Sequence, residues 1–124
     1  MEEIITKKYL LDNPNKIFVF GDNLLRAGYG GAAKLRDMQN SYGFFTKKAP
    51  DNKDSSFFRP KEYKEVYREE IKSLRFAISN NPNKEFLISK LGAGLANKYN
   101  IFEQVIEPAI KADLSDLENV RFLW

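Results

Sequence analysis

The stretch that decides the fold is "IFVFGDNLLRAGYGGAAKLRD", residues 17–37. With Lys16 it opens on "KIFVF" (16–20), an uninterrupted apolar run that predicts a strand buried on both faces. The run stops at Gly21, where Asp22 and Asn23 set two polar side chains at the strand's end. Gly28, Gly30 and Gly31 follow, and "GAAKLRDMQNSYG" (31–43) reads as a helix closed by Gly43. A packed core does not require this crowding, but an anion does. Glycines let backbone N–H groups approach a phosphate, and a helix behind them adds its positive end. The spacing fits neither the Walker-A pattern nor the GxGxxG fingerprint, and Lys34 is not followed by Ser or Thr. Three glycines also suffice for a tight turn and close helix packing, and this segment alone leaves both readings open.

The same design recurs downstream. "EFLISKLG" (85–92) is a second buried-strand candidate, and it runs into Gly92, Ala93, Gly94 and Leu95. Asn100 and Glu103 then resemble a capping box at the head of a further helix. Two strand–glycine–helix junctions in one small domain suggest facing walls of one cleft. Between them, "FFTKKAP" (44–50) reads as a short strand carrying Thr46, Lys47 and Lys48. Adjacent strand residues point to opposite faces, so only one lysine can face a cleft. A partly buried lysine with a lowered pKa can attack an aldehyde-like carbon, whereas two surface lysines would simply snorkel.

The rest of the chain fills in a layered α/β domain. "EIITKKYLL" (3–11) is expected as a strand and "NPN" (13–15) as a turn. Residues 49–59 form a long polar loop containing Phe57, Phe58 and Arg59, which are candidates for base stacking or for a core plug. "PKEYKEVYREEIKSLRFAISNN" (60–81) is the clearest helix, with Pro60 at its first position. Its apolar stripe comprises Tyr63, Val66, Tyr67, Ile71, Leu74 and Ile78. Pro108 should kink or break the helix after Asn100, and "NVRFLW" (119–124) closes as a strand. Alternating strands and helices predict one α/β domain over residues 1–124 with a mostly parallel central sheet.

Composition narrows the chemistry. The 124 residues are 43% hydrophobic and 14% aromatic, a globular balance with no repeat and no linker. No run approaches the roughly eighteen apolar residues a membrane span needs, and the N-terminus lacks a signal layout, so a cytoplasmic protein is expected. There is neither cysteine nor histidine. That removes disulfides, thiolate nucleophiles, Ser-His-Asp chemistry and most zinc sites, and no metal or cofactor is expected. Net charge is +3 with a pI near 9.0, which suits an anionic ligand, nucleic acid included.

Taken in order, "GYGGAAKLRDMQNSYG", "FFTKKAP" and "KLGAGLANKYNIFEQVI" resemble the macrodomain family. More narrowly they are similar to the branch containing terminal ADP-ribose protein glycohydrolase and to short macro-like domains of bacteria and phages. The resemblance implies a three-layer α/β/α fold that binds ADP-ribose or a related NAD-derived nucleotide in a surface cleft. It implies that Gly28, Gly30 and Gly31, with Gly92 to Leu95, hold the pyrophosphate and distal ribose. Gly21, Asp22, Asn23, Thr46 and Asn97 would lie nearby. In that branch a lysine attacks the distal ribose, and Lys47 matches it, while an aspartate of the second loop assists. Here Ala96 stands at the aspartate's position, so Asp22 is the candidate acid from the opposite wall. Expected activities are hydrolysis of ADP-ribosyl conjugates on protein or nucleic acid, or non-catalytic sequestering of the nucleotide in phage–host conflict. Nucleic-acid binding through the basic surface is the third alternative. A monomer is expected.

Overall fold

The computed structural model describes residues 3–124. Four parallel strands form the sheet: β1 (Lys16–Asn23), β2 (Ser41–Lys47), β3 (Glu85–Ile88) and β4 (Val120–Phe122), in the order β2-β1-β3-β4. Strand β1 is central, and both its faces are covered. Val19, Phe44, Phe86 and Ile88 pack beneath the long helix α2 (Pro60–Ser79) and the C-terminal helical turns. Phe18, Phe20 and Leu87 pack on the other face against Ile5, Leu10, Leu35 and Leu123. The apolar run 16–20 therefore reads as expected, because a strand in the middle of a parallel sheet has no wet side.

Helix α2 follows its predicted limits closely. Pro60 opens it, Tyr63, Tyr67, Ile71, Leu74 and Ile78 are buried, and Val66 is half-buried. At its foot, Tyr63 donates to the carbonyl of Phe45 at 2.6 Å, and Glu70 accepts from the Phe45 N–H at 2.8 Å. These two bonds close part of the otherwise open edge of β2. Burial pushes the Glu70 carboxyl up from its ordinary range.

Four expectations are corrected. Residues 7–12 form helix α1 (Lys7–Asp12), not a strand, because Thr6 caps it by accepting from the Tyr9 N–H at 3.1 Å. Residues 31–43 do not form one helix: a 3-10 turn over Gly31–Leu35 gives way to β2 at Ser41. The break is made by polar side chains. Asn40 donates to the carbonyls of Leu10, Asn13 and Lys16, and Ser41 to those of Arg36 and Met38. Gly43 lies inside β2, where a Cβ would sit 2.4 Å from the Asp22 carboxylate. Asn100 (φ +62°) does not cap the following helix; Asn97 does so instead, accepting from the Phe102 N–H at 3.0 Å. Pro108 breaks the helix, leaving a π-turn over Phe102–Ile106 and the short α3 (Ile110–Asp113).

Strand order fixes where a ligand can go. The chain leaves β1 for β2 on one side, then returns through α2 to β3 on the other. The ends of β1 and β3 thus form a topological switch point, the usual crevice of an open parallel sheet. Among the described residues no helix is long and apolar enough to cross a membrane.

Candidate functional site

A cleft of about 710 Å³ opens at that switch point. Gly21, Asp22, Asn23, Gly28, Gly30, Gly31, Thr46 and Lys47 line one side, and Gly92, Ala93, Gly94, Leu95 and Ala96 the other. The two glycine loops nearly meet: Leu95 Cδ1 lies 3.7 and 3.5 Å from where a Cβ on Gly30 or Gly31 would stand. Gly28, Gly31 and Gly92 have φ of +89°, +58° and +79°, so the loops use backbone conformations that side chains disfavour. Among the described residues, the N–H groups of Gly28 and Gly30 in the first loop, and of Gly92, Gly94 and Leu95 in the second, donate to no other group of the chain. They remain available to an anion.

Asp22 is held differently from an acid awaiting substrate. Its carboxylate is 2% exposed and receives Arg36 Nη2 at 2.7 Å and the Asn23 N–H at 2.8 Å, with Arg26 at 3.6 Å. Arg36 also donates from Nε to the Gly28 carbonyl at 2.9 Å and from Nη2 to the Ala27 carbonyl at 3.1 Å, while lying over the Phe20 ring. Asp22 and Arg36 thus form a clamp that fixes the first glycine loop to the end of β1. Asn23 is equally committed, donating to the Ala27 carbonyl at 2.7 Å and accepting from the Leu25 N–H at 3.1 Å. Both residues shape the loop. Sequence reading missed Arg36, which it placed inside a helix; the signal was a cation spaced to reach back to a buried acid at a strand end.

Lys47 reaches the cleft because of a bulge. Register along β1 and β2 shifts between Asp22 and Asn23, so Asn23 pairs with Lys47 and Thr46 is stepped over. Thr46 is buried with its hydroxyl against the Asp22 carbonyl at 3.4 Å. Lys47 is 8% exposed, donates to the Asp51 carbonyl at 2.7 Å and lies 4.6 Å over the Phe57 ring. Burial lowers its pKa from the ordinary 10.5, with the Asp51 charge opposing that shift. Lys48 points the other way and pairs with Glu62 at 3.0 Å. Only one of the adjacent lysines faces the cleft, as strand alternation requires.

Several residues lie elsewhere. Asn97 does not line the cleft, and its amide is spent on Glu103 and the Phe102 N–H. Phe57 and Phe58 are buried, Phe58 against Tyr63 in the main core, so they offer no stacking surface. The loop that carries them is strapped down at both ends. Pro50 packs 3.0 Å from the Cβ position of Gly28, while Asp54 binds Lys98 at 2.9 Å, Arg59 at 3.4 Å and the Tyr99 hydroxyl. The hydrogen bond from Tyr99, with help from Lys98, brings the Asp54 pKa down to about 2. Lys34 and Lys90 also line the cleft, which holds three lysines against Glu3 and the already paired Asp22.

The model of a family of unknown function (DUF7831) matches residues 1–97. The chain belongs to this family. The matched span runs from the N-terminus through both glycine loops and ends at Asn97, so it contains Asp22, Arg36 and Lys47 but not the π-turn, α3 or β4. No curated protein and no solved structure matches the chain.

Proposed function

We propose that the cleft binds ADP-ribose or a related NAD-derived nucleotide, as the resemblance to macrodomains implies. One observation carries this reading: both glycine loops, with N–H groups that have no partner among the described residues, line the same 710 Å³ space at the sheet's switch point. A pyrophosphate takes such donors readily, and Lys34, Lys47 and Lys90 bias the cleft toward an anion. The apolar stretch by Ile5, Phe18 and Leu123 suits the less polar end of an extended nucleotide.

A second reading, hydrolysis of an ADP-ribosyl conjugate, is favoured by Lys47 alone. Its burial and lowered pKa increase the neutral amine fraction that can attack a ribosyl carbon. Asp22 serves that chemistry by positioning the loop, because its carboxylate is already paired with Arg36. With Ala96 opposite, the assisting acid of the resembled branch has no counterpart at its own position. General acid assistance contributes about 10²–10⁴-fold, so turnover by this cleft is expected to be slow.

Calorimetry with ADP-ribose tests the first reading. Gly30 has room for a side chain, with φ −75° and only Leu95 near its Cβ position, so Gly30→Glu should fold and place a carboxylate among the phosphate donors. Loss of binding in that variant is expected; binding left intact would show that the loops are not the cradle. Incubation with ADP-ribosylated peptide tests the second, and equal turnover by wild type and Lys47→Ala would remove Lys47 from the chemistry.

A further inference from the structure

Helix α2 turns one face to the sheet through Tyr63, Tyr67, Ile71, Leu74 and Ile78. Beside that buried stripe, Lys61, Lys64, Arg68, Lys72 and Arg75 recur at three- and four-residue steps. At 3.6 residues per turn they fall within about 80° of arc and span about 21 Å of helix. Arg68 pairs with Glu65 at 2.8 Å and Arg75 with Asp116 at 2.7 Å, whereas Lys61, Lys64 and Lys72 enter no ion pair among the described residues. Cations following cations at these steps repel one another and weaken a helix standing alone in water. An anionic partner with regularly repeated charges relieves that repulsion.

The stripe borders a groove of about 640 Å³ between α2 and the π-turn, floored by Tyr67, Ile71 and Val105. At the far end, one turn beyond Lys72 and about 40° round the helix from it, Phe76 stands 73% exposed on the row that also carries Glu65 and Glu69. We propose that this face of α2 binds single-stranded nucleic acid without sequence preference, the cations following the backbone and Phe76 stacking on a base. The helix lies flat on the sheet, so it cannot enter a duplex groove, but a strand laid along it meets a cation about every 4.5–6 Å. Cationic tracks with an aromatic platform are the usual means of holding single strands. A purely acidic chain such as polyglutamate would use the cations and leave Phe76 uncovered. The site shares no residue with the cleft, and the inference is independent of the reading given to the cleft.

The test is fluorescence anisotropy with an oligothymidine of about 20 nucleotides, titrated at several salt concentrations. Contacts to about three to five phosphates predict a slope of log affinity against log salt of roughly −2 to −3.5. Lys64→Glu/Lys72→Glu should weaken binding at least about tenfold at low salt and flatten the slope by about 1.4. Phe76→Ala should weaken it about fivefold or more, because stacking is lost. Both variants change exposed side chains, and circular dichroism checks that the helix is retained. If the charge reversal unfolds the chain, Lys64→Gln/Lys72→Gln replaces it with the same expected direction. Absence of wild-type binding at low salt would overturn the proposal, as would affinity unchanged in the variants. Equal displacement by polyglutamate of matching charge, or a duplex bound as tightly with no effect of Phe76→Ala, would overturn the single-strand assignment. Calorimetry with ADP-ribose on the charge-reversed variant should give the wild-type value, which separates failure here from failure of the cleft.

Discussion

Replacing Asp22 with asparagine separates two roles for the residue, because its shape is kept and only its charge is lost. In the folded chain the carboxylate is 2% exposed, Arg36 Nη2 is 2.7 Å away, and the Arg36 side chain is itself only 11% exposed. Removing one partner of a buried ion pair costs about 3–5 kcal/mol, since the other charge is left without compensation. Asparagine retains an acceptor for the Asn23 N–H, and Arg36 keeps its bonds to the Gly28 and Ala27 carbonyls, which lowers the expected loss to about 2–3 kcal/mol. Arg26 adds little, because at 3.6 Å and 62% side-chain exposure its attraction is screened. At about 3–5 °C per kcal/mol for a chain of this size, the melting temperature should fall by about 6–15 °C. The assay is urea unfolding followed by circular dichroism, on Asp22→Asn, Arg36→Gln and the double variant. A coupling energy of about 1.5–3 kcal/mol is expected from the cycle. Were Asp22 instead an acid serving substrate, the variant would lose turnover and keep its stability. A loss below about 0.5 kcal/mol with no coupling would refute the clamp.

Gly92→Ala should destabilise by about 2–4 kcal/mol, because the φ of +79° is strained for alanine and the new Cβ would lie 2.6 Å from Ile106 Cδ1; Gly94→Ala, with nothing within 4 Å, should stay within about 0.5 kcal/mol in the same unfolding assay. Lys47 should acylate with a pH midpoint below the ordinary 10.5, measured by competitive labelling and mass spectrometry. The folded state holds this proton less readily than the unfolded one, so the stability tied to Lys47 should rise as pH climbs toward 10.5 and disappear from the profile in Lys47→Met. Asp54, brought down from 3.8 to about 2, contributes stability that is complete above pH 3.8 and lost as pH falls toward 2. Asp54→Asn should remove that acid-labile part of the unfolding profile and leave neutral-pH behaviour of the other carboxylates unchanged.

Local pattern was enough wherever one residue's neighbours in sequence are also its neighbours in space. The run 16–20 announced a two-sided buried strand, the stripe of residues 63–78 announced α2, and the glycines at 28–31 and 92–94 announced loops, which line one cleft. The alternation of Lys47 and Lys48 across the strand was likewise legible from a period of two. Sequence alone did not show that Asn40 would bond three distant carbonyls and cut the helix expected at 31–43, nor that Thr6 would start a helix within a strand-like run. The first outcome depends on groups 24 to 30 residues apart, whereas the second is a local cap, three residues long, inside a run whose composition also suits a strand. The same holds for the site. Asp22 was visible as a polar residue at a strand end, but its pairing with Arg36 exists only because the first loop folds back over β1. Asn97 looked like part of the cleft from its place beside Gly94 and Leu95, yet the turn rotates it toward Glu103 and the next helix. The sequence by itself thus determined the buried central strand, helix α2 and the two glycine loops. Tertiary structure decided what each polar side chain does, because side chains pair where the folded chain places them: Arg36 claims Asp22, the folded turns commit Asn23 to Ala27 and Leu25 and Asn97 to Glu103 and Phe102, and the bulge beside Asn23 leaves Lys47 at the cleft.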